Sequence, residues 1–155
     1  MSFCLSKKSL GHLTGVHPDL CLVVRRAIDV TPVDFTVLEG LRSVSKQKEM
    51  MEQGKSRTMR SRHLTGHAVD VGAWVEGQID WSWDFYPKIA SAFREISIAT
   101  HIPVVWGAVW DRTLSELSDD LEAEITAYKK RQRARGIKKP LIDGDHFELP
   151  RSVYP

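Results

Sequence analysis

The chain has little cysteine, no long apolar run and almost no excess of charge. Its two cysteines, Cys4 and Cys21, are too few for a disulfide scaffold and are not spaced as a metal-binding pair. No run of about 18 apolar residues occurs, so we expect no membrane-spanning helix. The formal net charge is only +2, which permits attraction to an anionic polymer without requiring it.

We also expect no secretory signal peptide in residues 1–15, because no long apolar segment follows Lys7 and Lys8. The rest of the composition is ordinary, with 42% hydrophobic and 27% charged residues. A chain of 155 residues is long enough for one domain with a sizeable core. We therefore expect a single domain over residues 1–155, and a monomer.

Sequence patterns predict a mixture of helices and strands. Apolar residues at helical spacing follow Pro18 and Pro87, and each proline suits the first turn of a helix. A short polar helix is predicted over 43–53, closed by Gly54. Runs of strand-forming residues predict β-strands over 35–39, 68–75 and 103–106.

A long helix is predicted between about 112 and 136. The capping-box pattern Thr113-x-x-Glu116 opens it, and Gly136 followed by Pro140 ends it. Acidic residues crowd its start and basic residues its end, which complements the helix dipole. The basic end could contact an anionic polymer, but a solvated helix end is the simpler interpretation, and no nucleic acid partner is expected.

The middle of the chain offers candidate metal ligands. His63 and His67 are four residues apart, so on a helix they would share a face, as in the helical zinc-peptidase motif. That motif needs a glutamate where Leu64 stands, and Gly66 disfavours a helix here. We therefore predict a loop that runs into a strand, with His63 before the bend and Asp70 within the strand.

Two motifs of this chain resemble the signature of the M15 family of zinc peptidases: Ser61-x-His63-x-x-Gly66-x-Ala68-x-Asp70 and, far downstream, Asp143-x-x-His146-Phe147-Glu148-Leu149. The family includes D-Ala-D-Ala carboxypeptidases and dipeptidases, and the resemblance points in particular to the short phage endolysins that are L-alanyl-D-glutamate peptidases. It covers most of the chain, from about Ser9 to Leu149. The fold it implies is α+β, a small antiparallel sheet that carries the ligands, with helices packed on one side.

Carried over by position, the resemblance implies that His63, Asp70 and His146 bind zinc and that Asp143 is the catalytic carboxylate. His67 falls on a variable position and is not a predicted ligand. A catalytic zinc keeps one position open for water, lowers the pKa of that water to about 7, and polarises the scissile carbonyl. The implied function is hydrolysis of the peptidoglycan stem peptide at the L-Ala-D-Glu bond, in phage or prophage lysis.

The residues alone leave open which carboxylate moves the proton. Glu148 lies about 6.6 Å beyond His146 along an extended strand, on the same face. Asp145 would point to the opposite face, whereas Asp143 precedes an Asp-Gly turn that can fold it back over the metal. Spacing does not separate Asp143 from Glu148, and only the resemblance favours Asp143.

Three further residues are candidates for the site. Arg42 follows a predicted strand and would stabilise the negative charge on the carbonyl oxygen, the alternative being an exposed arginine after a turn. Ser61 would orient the substrate or a ligand, or would only cap its loop. Trp106 is predicted to contact substrate because an aromatic near this Trp-Gly turn lies close to the site in the family, although core packing is the simpler role for most of the tryptophans.

The chain departs from the family pattern in several places. Ala108 replaces a second glycine after Trp106, and Asp145 stands where proline is common, so a second acid would raise the pKa of a buried neighbour. The segment of about 112–136 resembles an insertion relative to the shortest members.

Two rival functions remain at this stage: a D-Ala-D-Ala carboxypeptidase or dipeptidase, and a catalytically silent zinc module that only binds the wall. Without a signal peptide, the protein is expected to be made in the host cytoplasm and to reach the wall after release.

Overall fold

Five α-helices and six strands follow one another in the computed structural model, which describes residues 2–155. Two short 3-10 helices, Arg62–Thr65 and Leu114–Glu116, lie between them. The α-helices are α1 (Lys7–His12), α2 (Pro18–Val30), α3 (Val44–Glu52), α4 (Phe85–Thr100) and α5 (Leu121–Ala134). The strands are β1 (Phe35–Glu39), β2 (Ala68–Val75), β3 (Gln78–Asp80), β4 (Val105–Trp106), β5 (Val109–Thr113) and β6 (His146–Glu148).

All six strands belong to one antiparallel sheet, in the order β1-β2-β6-β4-β5, with β3 paired to the end of β2. Strand β2 is the centre of this arrangement. Its first half pairs with β6, and the register places Asp70 opposite His146 and Val69 opposite Phe147. A pairing between residues from the middle and the tail of the chain therefore brings two of the predicted ligands side by side.

The core lies on one face of the sheet. Val69, Val71 and Phe147 are fully buried there, and the ring of Phe147 stacks on Phe93 of α4 at a centroid distance of 3.9 Å. Successive strand residues point to opposite faces, so the side chain of Asp70 points away from this core. The sheet thus separates a helix-covered apolar face from a face that carries polar groups, and the predicted α+β fold is confirmed.

Helix α2 buries the residues that its spacing indicated. The predicted face of α2 is fully or almost fully buried, and Pro18 is its first residue. Its members are Leu20, Val23, Val24, Ala27 and Ile28. Helix α3 and strand β1 also match their predicted ranges closely. Within residues 2–155, none of the helices has both the length and the apolarity needed to cross a bilayer.

Three boundaries differ from the prediction. Helix α4 begins at Phe85, two residues before Pro87, and β4 covers only the last two residues of the predicted strand 103–106. The capping box of Thr113 and Glu116 is present, but it caps a 3-10 turn. The long helix begins only at Leu121, where the Asp120 carboxylate accepts a hydrogen bond from the Ala123 amide at 3.1 Å.

The segment of about 112–136, predicted as a helical insertion, therefore contains the end of β5, a 3-10 turn and α5. Leu121, Ile125 and Tyr128 of α5 are buried in the common core, and the Tyr128 hydroxyl donates a hydrogen bond to the Leu141 carbonyl at 3.2 Å. The segment packs as part of the domain, and its status as an insertion stays a prediction.

A substitution at Gly66 can test how tightly the backbone is packed just before β2. Its φ is 74°, and a Cβ at this position would collide with the carbonyl oxygen of Gly15. Gly77, in the β2–β3 turn, is a matched control, because its φ is 80° and an added Cβ meets nothing within 4 Å.

We expect Gly77→Ala to lower the free energy of unfolding by about 1–2 kcal/mol through left-handed strain alone. Gly66→Ala should lose about 1–3 kcal/mol more, because the collision is added to the same strain. Urea unfolding of both variants measures the difference, and equal losses would show that Gly15 yields without cost.

Candidate active site

Three predicted ligands converge on the polar face of the sheet. His63 comes from the 3-10 helix Arg62–Thr65, Asp70 from β2 and His146 from β6. The Asp70 Oδ1 lies 3.3 Å from His63 Nε2 and 3.1 Å from His146 Nδ1. One ligand atom from each residue lies within 4.8 Å of the others, so the three side chains could hold a single metal ion.

The remaining ring nitrogens are held in the way that metal-binding histidines require. His63 Nδ1 lies 2.8 Å from the Gly40 carbonyl oxygen, so it carries the proton and donates. His63 Nε2 is buried and has no hydrogen-bond partner among the described residues. On the other side, His146 Nε2 lies 2.8 Å from Glu148 Oε1, which leaves Nδ1 facing Asp70. The donor set therefore fits a metal with two imidazoles and one carboxylate.

The charges in this cluster reinforce one another. Burial raises the pKa of Asp70, but the hydrogen bond to His146 and the close His63 ring outweigh it and hold the pKa well below its usual range. Burial lowers the pKa of His146, but its hydrogen bonds to Asp70 and Glu148 outweigh that effect and raise the pKa to about 10. Asp70 is thus a carboxylate throughout the physiological pH range, and it marks the centre as a place for positive charge.

A second group of acids lies beside the first. Carboxylate oxygens of Asp70, Asp143 and Asp145 lie within 4.8 Å of one another, and Asp143 lines the cleft. Burial, followed by a hydrogen bond to Asp143, raises the pKa of Asp145 to about 8. This shift favours the protonated form of Asp145 beside Asp143. Asp145, which stands where proline is common in the family, was expected to raise the pKa of a neighbouring acid, but the raised pKa is that of Asp145 itself.

The loop that carries Asp143 is held by the turn between β4 and β5. The Gly107 amide donates to the His146 carbonyl at 2.8 Å, and the Asp143 amide donates to the Gly107 carbonyl at 2.7 Å. A Cβ at Gly107 would collide with the carbonyl oxygen of Asp143, so only glycine allows this approach. The indole nitrogen of Trp106 donates to the Gly144 carbonyl at 2.8 Å. The turn thus fixes both Asp143 and His146.

The prediction that Trp106 contacts substrate is wrong. Its side chain has no exposed surface, because it lies between Trp83 and Phe147 in a stack of nearly parallel rings. The aromatic at the cleft is Trp110, whose ring centroid lies 5.1 Å from that of His146. The resemblance indicated that an aromatic lies near this turn, but it did not distinguish the buried tryptophan from the one at the cleft.

Arg42 is buried, with 7% of its surface exposed, so the alternative of an exposed arginine is wrong. Its Nε and Nη2 atoms donate to the two Glu39 carboxylate oxygens at 2.5 and 2.9 Å, and Nη1 donates to Gln47 Oε1 at 2.7 Å. The hydrogen bond to Glu39 raises the pKa of Arg42, and Nη2 lies 4.0 Å from Asp70 Oδ2. Arg42 is a fixed cation beside the centre, and its role toward substrate stays a prediction.

Ser61 lines the cleft and also caps its own loop, because its hydroxyl accepts a hydrogen bond from the His63 amide at 3.3 Å. A contact with substrate stays a prediction. Glu148 is committed to His146, so its contact with the ring argues that it orients this ligand. Asp143 is then the cleft carboxylate that is not committed to a histidine, and its role as the base stays a prediction.

The centre opens into a cleft of about 620 Å³. One wall is the loop 54–61, and Arg151 adds to it from beyond β6. Lys55, Arg57 and Arg60 give this wall a basic character that the sequence showed only as composition. Their position beside the centre depends on the long-range pairing of β2 with β6, which local patterns do not reveal.

The fold and the site together are those of a metal-dependent peptidase, because the cleft leaves the three-residue centre open, whereas structural zinc sites are closed by four ligands. A family model described as phage L-alanyl-D-glutamate peptidase matches residues 1–150. The L-alanyl-D-glutamate peptidase of Escherichia phage T5 is 31% identical over 153 residues, covering 96% of this chain and 99% of that protein. This chain belongs to the phage L-alanyl-D-glutamate peptidase family, and the predicted family is confirmed.

A solved structure agrees with this assignment. The crystal structure of the Serratia marcescens L-Ala D-Glu endopeptidase ChiX matches with a TM-score of 0.77 and 40% sequence identity, covering 99% of this chain and 95% of that one. A mouse cation channel, transient receptor potential subfamily V member 2, is 32% identical over 100 residues. That match spans 11% of the channel and carries no functional argument.

Gly144 tests how the loop of Asp143 is supported. A Cβ at Gly144 would approach the Trp83 ring to 2.7 Å and the Tyr86 ring to 3.3 Å. We expect Gly144→Ala to lower both the free energy of unfolding and the peptidase activity, because the added methyl pushes the loop away from Trp83. Adding Trp83→Ala makes room for the methyl, so the double variant should lose less than the two single losses combined, by at least about 0.5 kcal/mol. Purely additive losses in unfolding and activity assays would contradict the contact.

Proposed function

We propose that this chain is a zinc-dependent endopeptidase that hydrolyses the L-alanyl-D-glutamate bond of the peptidoglycan stem peptide, and that it acts as an endolysin in phage or prophage lysis. The observation that carries the proposal is the convergence of His63, Asp70 and His146 at an open cleft in a member of this family. Two imidazoles, a carboxylate and an open position form a ligand set that catalytic zinc commonly uses.

The proposed roles follow from the contacts of each side chain. His63 Nε2, Asp70 and His146 Nδ1 would hold the zinc, which when bound supplies a polarised carbonyl and an acidified water. Gly40 and Glu148 keep the two imidazole rings in position through their other nitrogens.

Asp143 accepts a proton from the attacking water and returns it to the departing amine. Arg42 adds positive charge beside Asp70, where negative charge grows on the carbonyl oxygen. Hydrolysis adds one water across the peptide bond, leaving a carboxylate on L-alanine and an amine on D-glutamate.

The bond that is cut separates this function from its enzymatic rival. We expect purified peptidoglycan digested with the protein to gain new amino termini on D-glutamate, and we expect a chelator to stop the reaction and added zinc to restore it. Labelling of the new termini followed by mass spectrometry measures the outcome. Release of free D-alanine without new D-glutamate termini would instead identify a D-Ala-D-Ala carboxypeptidase or dipeptidase.

Substitutions separate metal binding from proton transfer. We expect Asp143→Asn to keep one bound zinc and to lose about 10²–10⁴-fold in rate, the usual contribution of a general acid–base group. His63→Ala should lose the zinc as well, and His67→Ala is the matched control that keeps both zinc and activity. Zinc content is measured by atomic emission and rate on a soluble stem peptide. Full activity of Asp143→Asn would exclude this residue as the base, and an inactive parent with bound zinc would favour a silent wall-binding module.

A further inference from the structure

One wall of the cleft carries four exposed cations, which we call the basic wall: Lys55, Arg57, Arg60 and Arg151. Arg60 lies three residues before His63, so its Cα is at most about 11 Å from that of the ligand. Arg151 follows β6 and donates a hydrogen bond from its guanidinium to the carbonyl oxygen of Arg60. The basic wall therefore stands directly beside the metal centre and is joined to both segments that supply histidine ligands.

These four side chains are not used in ion pairs. Within residues 2–155, none of them has a nitrogen within 4.0 Å of a carboxylate oxygen. Of the three acids that line the same cleft, Asp70 is committed to the two histidines and Glu148 to His146, and Asp143 is the proposed base. In a chain whose net charge is only +2, a cluster of unpaired cations in one wall is a concentrated site for an anion.

The loop of the basic wall is also held by a buried side chain of α3. Gln47 of α3 is fully buried, and its amide nitrogen donates to the Thr58 carbonyl at 2.5 Å and to the Ser56 hydroxyl at 2.8 Å. Its amide oxygen accepts the hydrogen bond from Arg42. Because both donors of this buried amide go to the loop, the backbone that carries the cations is held in place.

The chemistry of the proposed substrate supplies an anion next to the bond that is cut. D-glutamate has two carboxyl groups, and only one can continue the peptide beyond the bond that is cut. The residue on the leaving side therefore keeps a free carboxylate unless it is amidated. Guanidinium and ammonium groups bind carboxylates through charge-assisted hydrogen bonds.

Resting on the proposed function, we propose that the basic wall is the subsite for the free carboxylate of the D-glutamate residue, and that it makes the enzyme prefer stems in which this group is not amidated. Arg57, Lys55 and Arg60 supply the charge, and Gln47 and Arg151 position the loop. The preference would then be a property of this wall and not of the metal centre.

The test compares two soluble stem peptides that differ only in whether the second carboxyl of D-glutamate is a free acid or a carboxamide. We expect the parent enzyme to cleave the free acid with a kcat/KM about tenfold or more above that for the amide, the effect of one charge-assisted hydrogen bond. The variant K55Q/R57Q/R60Q should cleave both peptides at similar kcat/KM, with the loss confined to the free acid. Arg151 is left unchanged because its guanidinium also anchors the loop.

The matched control is K130Q/R133Q/R135Q, which removes the same charge from exposed positions at the end of α5. This variant should keep the parental preference, and unfolding midpoints equal to that of the parent show that both variants are folded. A loop variant that still prefers the free acid, or a parent that cleaves both peptides equally, would overturn the carboxylate subsite while leaving the peptidase intact. A parent that cleaves neither peptide would overturn the proposed function and the subsite with it.

Discussion

The carboxylate of Asp70 is the group on which both the site and the centre of the sheet depend. It lies at the register position where β2 meets β6, and it contacts both imidazoles at 3.3 and 3.1 Å. A carboxylate placed on a largely buried surface costs several kcal/mol unless donors compensate it. The histidines provide that compensation, and a metal bound between them would add to it, so the geometry of the predicted ligands and local stability depend on one contact.

Arg42 extends this interaction to the walls of the cleft. It joins Asp70 to Glu39 on β1 and, through Gln47, to the loop of the basic wall. Removing Arg42 would leave Glu39 with a partly buried charge that lacks its partner, and would release Gln47 at the same time. An Arg42 variant would therefore mix effects on folding, metal position and loop order, and it would not isolate a role in stabilising charge on the substrate.

Local sequence patterns predicted the helices and strands in which buried residues recur at regular intervals along the chain. Strand β1 and helix α2 are examples, since their burial repeats with the expected period. Strand β5 was missed because it is a short strand at one end of the sheet and carries Asp111 and Arg112, which hide any alternation. The candidate ligands could be named only because the family signature contains long-range information that no local pattern holds.

Local patterns also do not show contacts between distant segments, which is why the prediction for Trp106 was wrong and the basic wall was not predicted. Trp106 and Trp110 flank one turn, and the stacking of Trp83 and Phe147 decides which of the two is buried. Arg151 joins the basic wall only because β6 delivers the tail of the chain to the loop before His63. Both outcomes follow from contacts between distant segments.

The basic wall also bears on the choice between peptidase types. A carboxypeptidase that releases a terminal D-alanine must hold one carboxylate, and one cation is enough for that task. This cleft presents three exposed cations on a loop anchored by a buried amide, and a fourth, Arg151, beyond β6. Such a spread suits a longer leaving segment that carries a carboxylate on its first residue and another at its end. The charge distribution therefore favours an endopeptidase acting within the stem over an enzyme that trims its terminus.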